Sequence, residues 1–233
     1  MTQAHLYTVY LDEVRDPGLL AAYHELLSAE EKARHDRYLV ERARHQHVVA
    51  HALKRLVLAR RLGVDPASLD FVIGEHGKPE LSSPACGLRF NLSHTDGLVA
   101  LLVADDVELG VDVETVDRGT DPVAVADRFF AAPEVAALHA LPLHAQKHRF
   151  FEYWTLKESY LKAVGAGLHL PLGSFWFDFE PLRVTFAPPI VDDPARWWFF
   201  QDFLPPRWRL AAAVERRRGE PRLCVKGTEP PRP

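Results

Sequence analysis

Residues Gly110-Val111-Asp112-Val113-Glu114 alternate in a way that fits a β-strand and little else. Successive strand side chains point to opposite faces. Asp112 and Glu114 therefore share a face with Gly110, which has no side chain, and Val111 and Val113 share the other. Acidic residues are poor strand formers. Two of them on one face imply either a solvated face or a site for a hard cation, which takes oxygen ligands and often shares them with a substrate phosphate.

The 233 residues suffice for one large domain or two lobes with a common core. A net charge of −4 provides no global basic field, which argues against a nucleic-acid partner. Positive charge gathers instead in residues 32–61. The two cysteines, Cys86 and Cys224, make neither a framework nor a C-x-x-C pair, so a reducing, cytoplasmic setting is expected. The N-terminus has no basic and apolar leader pattern, and no apolar run reaches the length of a membrane span, so no membrane association is expected.

The periodicity predicts a first strand at 5–11 and a helix at 17–27. Ser28 and Glu31 form a capping box that opens a basic segment. A long helix is expected at 41–62, with Val48, Ala52, Leu56 and Ala59 inward and Gly63 as its stop. Strands follow at 71–73, 88–92 and 98–104, with a turn at 77–79. The turn signal at 105–106 makes 98–114 an expected β-hairpin. Short helices are expected after Pro122 and at 133–141. A second long helix at 146–164 is closed by Gly165-x-Gly167. Further strands are expected at 174–180, 182–187, 197–203 and 207–215. The Pro-rich residues 227–233 are expected to be disordered.

On the second long helix, Trp154, Glu158 and Lys162 are spaced four apart and share a face. That spacing suits a solvent-exposed ion pair, and equally a carboxylate and an ammonium beside Asp112. Ser93 and His94, expected at a strand exit, are candidate phosphate contacts. They point to opposite faces, which makes them a poor nucleophile and base pair. His47 and His51 stand one helical turn apart near His45, but no third carboxylate or thiolate accompanies them, which disfavours zinc. There is no P-loop and no strand-borne G-x-G-x-x-G motif.

In order along the chain, Gly77-Lys78-Pro79, Phe90-Asn91-Leu92-Ser93-His94, Gly110-Val111-Asp112-Val113-Glu114, Arg128-Phe129-Phe130 and Trp154-x-x-Lys157-Glu158-x-x-x-Lys162 resemble the 4′-phosphopantetheinyl transferases of the two-lobed, surfactin-type (Sfp-like) group. The resemblance covers roughly residues 28–180. It implies an α/β (α+β) fold in which one chain forms two similar lobes related by pseudo-twofold symmetry. Each lobe would be a small, mainly antiparallel sheet packed with a long helix. The N-terminal lobe, 1–108, would face the 3′-phosphate and adenine of coenzyme A. Residues 109–226 would carry the catalytic carboxylates and Mg²⁺, with Mn²⁺ equally open.

The implied reaction moves the 4′-phosphopantetheine arm of coenzyme A to a serine of an apo acyl or peptidyl carrier protein and releases 3′,5′-ADP. By resemblance, Asp112, Glu114 and Glu158 are metal ligands, with Glu158 also the general base. Lys162 contacts the pyrophosphate and aids the leaving group. Ser93, His94, Lys78, Lys157, Arg37 and Arg44, with Lys32 as a lesser candidate, are implied coenzyme A contacts, and Asp112 lies beside them. Phe129, Phe130 and Leu138 fall in the stretch expected to flank the carrier. The family places its whole site in one chain, which implies a monomer. Peptide synthetases, polyketide synthases and fatty-acid synthesis all remain open as carrier sources. The competing reading is a Mg²⁺-dependent hydrolase of a nucleotide-linked pyrophosphate, which uses the same carboxylates with water as the nucleophile.

Overall fold

A computed structural model describes residues 2–226, apart from Glu75, Arg118, Thr120 and Arg218 and the side chain of Leu168. The expected disorder at 227–233 lies outside the described residues. The N-terminal half runs through β1 (Gln3–Tyr10), α1 (Pro17–Glu25), α2 (Ala29–Arg37), α3 (Glu41–Leu62), the hairpin β2 (Asp70–Ile73) and β3 (Pro79–Ser83), then β4 (Leu88–Thr95) and β5 (Leu98–Asp105). The second half runs through β6 (Leu109–Thr115), α4 (Pro122–Phe129), α5 (Ala132–His139), α6 (Leu143–Val164), the hairpin β7 (Phe175–Phe179) and β8 (Leu182–Phe186), then β9 (Trp197–Leu204), β10 (Trp208–Glu215) and β11 (Arg222–Lys226).

The two halves repeat one plan. In each, a strand leads through short helices into a 22-residue helix, a hairpin and two more strands. Both long helices end on a glycine in the left-handed conformation, Gly63 and Gly165 at φ 68°, which an L side chain would disfavour. The sheets correspond as well: β1-β5-β4 in the first half has the neighbour order of β6-β10-β9 in the second. The expected pair of similar lobes is therefore present.

The layers follow from strand alternation. Val99, Leu101 and Val103 of β5 pack with Val49, Leu53 and Leu56 of α3. The opposite faces of the two sheets share a core in which Leu98, Ala100 and Leu102 of β5 meet Val111 and Val113 of β6 and Leu210 and Ala212 of β10. The far face of the second sheet, with Ala211 and Ala213, lies under α6. β6 is buried throughout its length because both of its faces are covered.

The capping box at Ser28 forms as expected. The Ser28 hydroxyl accepts from the Glu31 N–H, and Glu31 returns a bond to the Ser28 N–H. Two expectations are corrected. Segment 98–114 is not a hairpin. Both edges of β5 are taken, by β1 and β4, while β6 crosses into the second sheet and pairs with β10. β4 does not end at residue 92 but runs through Ser93 and His94 to Thr95, held by its pairing with β5. The last strand, β11, returns to the first sheet and pairs in parallel with β1.

The edge of β6 that faces away from β10 is closed in an unusual manner. The Val111, Val113 and Thr115 N–H groups donate to Asn91 Oδ1, Ser93 Oγ and Thr95 Oγ1, at 2.8, 3.3 and 3.3 Å. Side chains at alternate positions of β4 thus take the place of a backbone ladder and satisfy donors that are costly to bury unpaired. This seam joins the two sheets, and the candidate site lies on it.

Candidate active site

Gly110, Asp112 and Glu114 face α6. A Cβ built on Gly110 would lie 2.1 Å from the Ser159 carbonyl oxygen and 2.4 Å from the Ala163 N. The glycine therefore lets strand and helix backbones touch, and it brings Asp112 under the helix face that carries Glu158 and Lys162. Lys162 Nζ donates to Asp112 Oδ1 at 2.6 Å and to Ser93 Oγ at 2.9 Å. Ser93 Oγ also donates to Asp112 Oδ1, at 3.1 Å. The other oxygen of Asp112, Oδ2, is buried and has no hydrogen-bond partner. Thr95 Oγ1 donates to Glu114 Oε2 at 3.2 Å.

Glu158 completes the group. Burial foremost, then the negative charges of Asp112 and Glu114, push its pKa up from 4.5 to about 7, with Lys162 pulling the other way. A carboxyl poised near neutrality among two other carboxylates suits a group that exchanges a proton. The structure thus brings together Asp112, Glu114, Glu158, Lys162 and Ser93, five of the residues singled out from the sequence.

His94 points away from Ser93, as alternation requires. It is exposed, and its ring bonds the Gln46 amide of α3. An open cavity of about 420 Å³ beside the carboxylates is lined by Gln46, His94, Thr95, Asp96, Thr115 and Asp117. Asp96 on its wall forms ion pairs with Arg42 and Arg207. Arg42 and Gln46 of α3 and Arg207 of the turn before β10 come together only through the fold, because the two segments are far apart in sequence.

Other expected contacts lie elsewhere. Lys157 does not reach the cleft. Its ammonium is fully buried, paired with Glu134 Oε2 at 2.7 Å and bonded to the Leu172 and Phe175 carbonyls. One residue before Glu158 on a helix, it points into the lobe interior, where it ties α6 to α5 and to the start of β7. Lys78 sits at the lobe junction, where Nζ donates to the Ala163 carbonyl at 2.8 Å and pairs with Glu108 at 3.3 Å. Arg37 is exposed at the end of α2. Arg44 holds the Tyr38 carbonyl through Nε at 2.8 Å, and Lys32 pairs with Glu25. Of the three apolar residues in the stretch expected to flank the carrier, Phe130 and Leu138 pack in the core and Phe129 is exposed. Of the histidines, His45 bonds the Val14 carbonyl, while His47 and His51 keep their rings 4.2 Å apart and bond the Glu31 carbonyl and carboxylate.

Thr95, which bonds Glu114, is a site residue that the sequence pattern alone does not mark, and Asn91 lies beside it on the seam. Both belong to the run Asn91-x-Ser93-x-Thr95, three polar residues on one face of a strand whose other face carries Leu88 and Phe90 into the core.

A model of the 4′-phosphopantetheinyl transferase superfamily matches residues 108–213, and a model described as 4′-phosphopantetheinyl transferase, N-terminal, matches residues 17–106. A 4′-phosphopantetheinyl transferase of Bacillus subtilis is 33% identical over 171 residues, covering 73% of this chain and 74% of that protein. The 4′-phosphopantetheinyl transferase HetI of Nostoc sp. is 34% identical over 168 residues, 71% and 70% of the two chains. The 4′-phosphopantetheinyl transferase Sfp of Bacillus subtilis (strain 168) is 29% identical over 172 residues, 73% and 74%. The chain belongs to the 4′-phosphopantetheinyl transferase superfamily of enzymes.

Proposed function

We propose that this chain transfers the 4′-phosphopantetheine arm of coenzyme A to a serine hydroxyl of an apo carrier protein. The observation that carries the reading is the convergence of Asp112, Glu114, Glu158 and Lys162 at a seam between two lobes, in a chain of this superfamily. The serine oxygen forms a bond to the β-phosphorus of coenzyme A. The bond from that phosphorus to the bridging oxygen breaks, and 3′,5′-ADP leaves.

Glu158 accepts the serine proton, directly or through a water. Burial holds Glu158 beside Asp112 and Glu114, where an ionised carboxylate is placed to take that proton. Lys162 neutralises charge that develops on the leaving phosphate. Asp112 Oδ2, buried and without a hydrogen-bond partner, fits a missing cation, and two further carboxylates beside it complete an all-oxygen donor set. Asp112, Glu114 and Glu158 would hold Mg²⁺ or Mn²⁺. When bound, such an ion grips pyrophosphate oxygens and offsets their charge.

The cavity lined by Gln46, His94 and Thr115 gives room for substrate beside these groups. Arg37 and His94 are the expected coenzyme A contacts left with exposed side chains. The whole constellation comes from one chain, which supports a monomer. Among the described residues no helix is long and apolar enough to cross a membrane. Both cysteines are free, in keeping with a cytoplasmic site of action.

The test is to incubate the protein with coenzyme A, Mg²⁺ and a panel of apo peptidyl, acyl and aryl carriers. Mass spectrometry should show one added phosphopantetheine. No modification of any carrier, or release of 3′,5′-ADP without a carrier, would count against transfer.

A further inference from the structure

Asp112 and Glu114 stand on a strand of the second lobe, yet hydroxyls of the first lobe orient them. A hydroxyl has one proton and two acceptor positions. Ser93 Oγ accepts from the Val113 N–H and donates to the carboxylate of the residue before it, Asp112. Thr95 Oγ1 accepts from the Thr115 N–H and donates to the carboxylate of the residue before it, Glu114. The same unit recurs two residues further along both strands, because side chains and edge N–H groups share the period of two.

Asn91 shows what the unit requires. It also accepts from a β6 N–H, that of Val111, at 2.8 Å. The residue before Val111 is Gly110, which has no carboxylate to orient. Here β4 carries an amide oxygen instead of a hydroxyl. Hydroxyls thus stand at the two positions with a carboxylate to hold, and an amide at the position without one.

We propose that Thr95 is a positioning residue for Glu114, and that the β4 hydroxyls thereby tie the divalent-cation affinity of the site to the seam between the lobes. The proposal rests on the reading of Asp112, Glu114 and Glu158 as cation ligands. Once the Thr115 N–H occupies one acceptor position of Thr95, the hydroxyl proton is free to point at Glu114, which removes the freedom of that carboxylate to swing away. Groups that hold a metal ligand in this way change metal affinity when lost. Ser93 does the same for Asp112 but also receives Lys162, so Thr95 gives the cleaner test.

Mn²⁺ is titrated into the full-length protein with coenzyme A present, and free Mn²⁺ is read by electron paramagnetic resonance. Thr95→Val keeps the branched shape and removes the hydroxyl. It should weaken Mn²⁺ binding by about tenfold or more, and Thr95→Ser should restore it to within about twofold of the parent. The KM for Mg²⁺ in carrier modification should rise with Thr95→Val while KM for coenzyme A at saturating Mg²⁺ holds. Asn91→Ala breaks the same seam without touching a carboxylate and should leave Mn²⁺ affinity near that of the parent. Should Thr95→Val fail to fold, Thr95→Ala carries the same expectation.

Unchanged Mn²⁺ binding in a folded Thr95 variant overturns the proposal. So does a loss in Asn91→Ala as large as that in the Thr95 variant, since seam closure alone would then set affinity. If Asp112→Asn binds Mn²⁺ as the parent does, the cation site itself is misassigned and the proposal falls with it.

Discussion

Lys162 Nζ lies 2.6 Å from Asp112 Oδ1 and 2.9 Å from Ser93 Oγ, so one ammonium on α6 joins strands of both lobes. Asp112 is 4% exposed, and a carboxylate that deep needs a counter-charge. Lys162 supplies it on one oxygen, while the other oxygen has no partner. Lys162 thus occupies one oxygen of Asp112 and leaves the other uncommitted.

Lys162→Ala should therefore lower carrier modification by roughly 10²-fold or more, the scale seen when one fixed donor to a developing charge is removed. Stability should fall as well, because Asp112 then keeps a buried charge without its counter-ion. Initial rates at saturating coenzyme A, with circular dichroism as a folding control, check both halves of this statement.

Glu158 makes stability depend on pH. Its ordinary pKa is 4.5, and in the folded protein burial and then the Asp112 and Glu114 charges raise it to about 7. Between those values the folded state holds a proton that the unfolded chain releases. The folded state binds more protons there, so this contribution is present at low pH and is lost as pH rises through that window. In chelator, the melting temperature of the parent should fall relative to that of Glu158→Gln between pH 5 and about 8. Added Mg²⁺ should reduce the difference, because a bound cation favours the ionised carboxyl.

Gly110→Ala places a methyl group 2.1 Å from the Ser159 carbonyl oxygen. Neither backbone has slack, so β6 and α6 must separate, and overpacking of this kind costs about 1–3 kcal/mol. Because Asp112 and Lys162 face each other across that contact, activity should drop further than stability. Urea unfolding and carrier modification measured on the same preparation would show the split, and unchanged activity would argue against a close-approach role.

Glu31 is the hub of the N-terminal lobe. His51 and Lys54 reach Oε1 at 2.7 and 2.8 Å, and Arg55 and the Ser28 N–H reach Oε2 at 2.7 and 2.9 Å. Burial raises its pKa, but these hydrogen bonds and charges outweigh it and hold the carboxyl well below its ordinary range. Its stabilising effect is therefore full above the ordinary pKa and fades as pH falls below it. Glu31→Gln leaves Lys54 and Arg55 buried with one charge fewer between them and should cost about 3–5 kcal/mol in urea unfolding at neutral pH.

Much of this molecule could be read from local pattern. The capping box at Ser28, the span of α3 and the glycine stops at 63 and 165 depend on neighbours within one or two turns. Strand pairing depends on distant partners, which no local pattern contains. Asp105 and Asp106 do end β5, but nothing local reveals that both edges of β5 are already taken. The polar run Asn91 to Thr95 likewise resembled a strand exit. Its true partners, the N–H groups of β6, lie about 20 residues downstream. Lys157 departs from its expected place for a related reason: a charge beside Glu158 in sequence points about a third of a turn away on the helix, into the lobe core.

The sequence by itself determined two faces. Covalent geometry with a period of two puts Gly110, Asp112 and Glu114 together on a strand, and the helical repeat puts Glu158 above Lys162. Only the tertiary structure decided that these faces meet. It does so because Gly110 has no Cβ to hold α6 away, and because β4 closes the open edge of β6 with the same hydroxyls that hold the carboxylates.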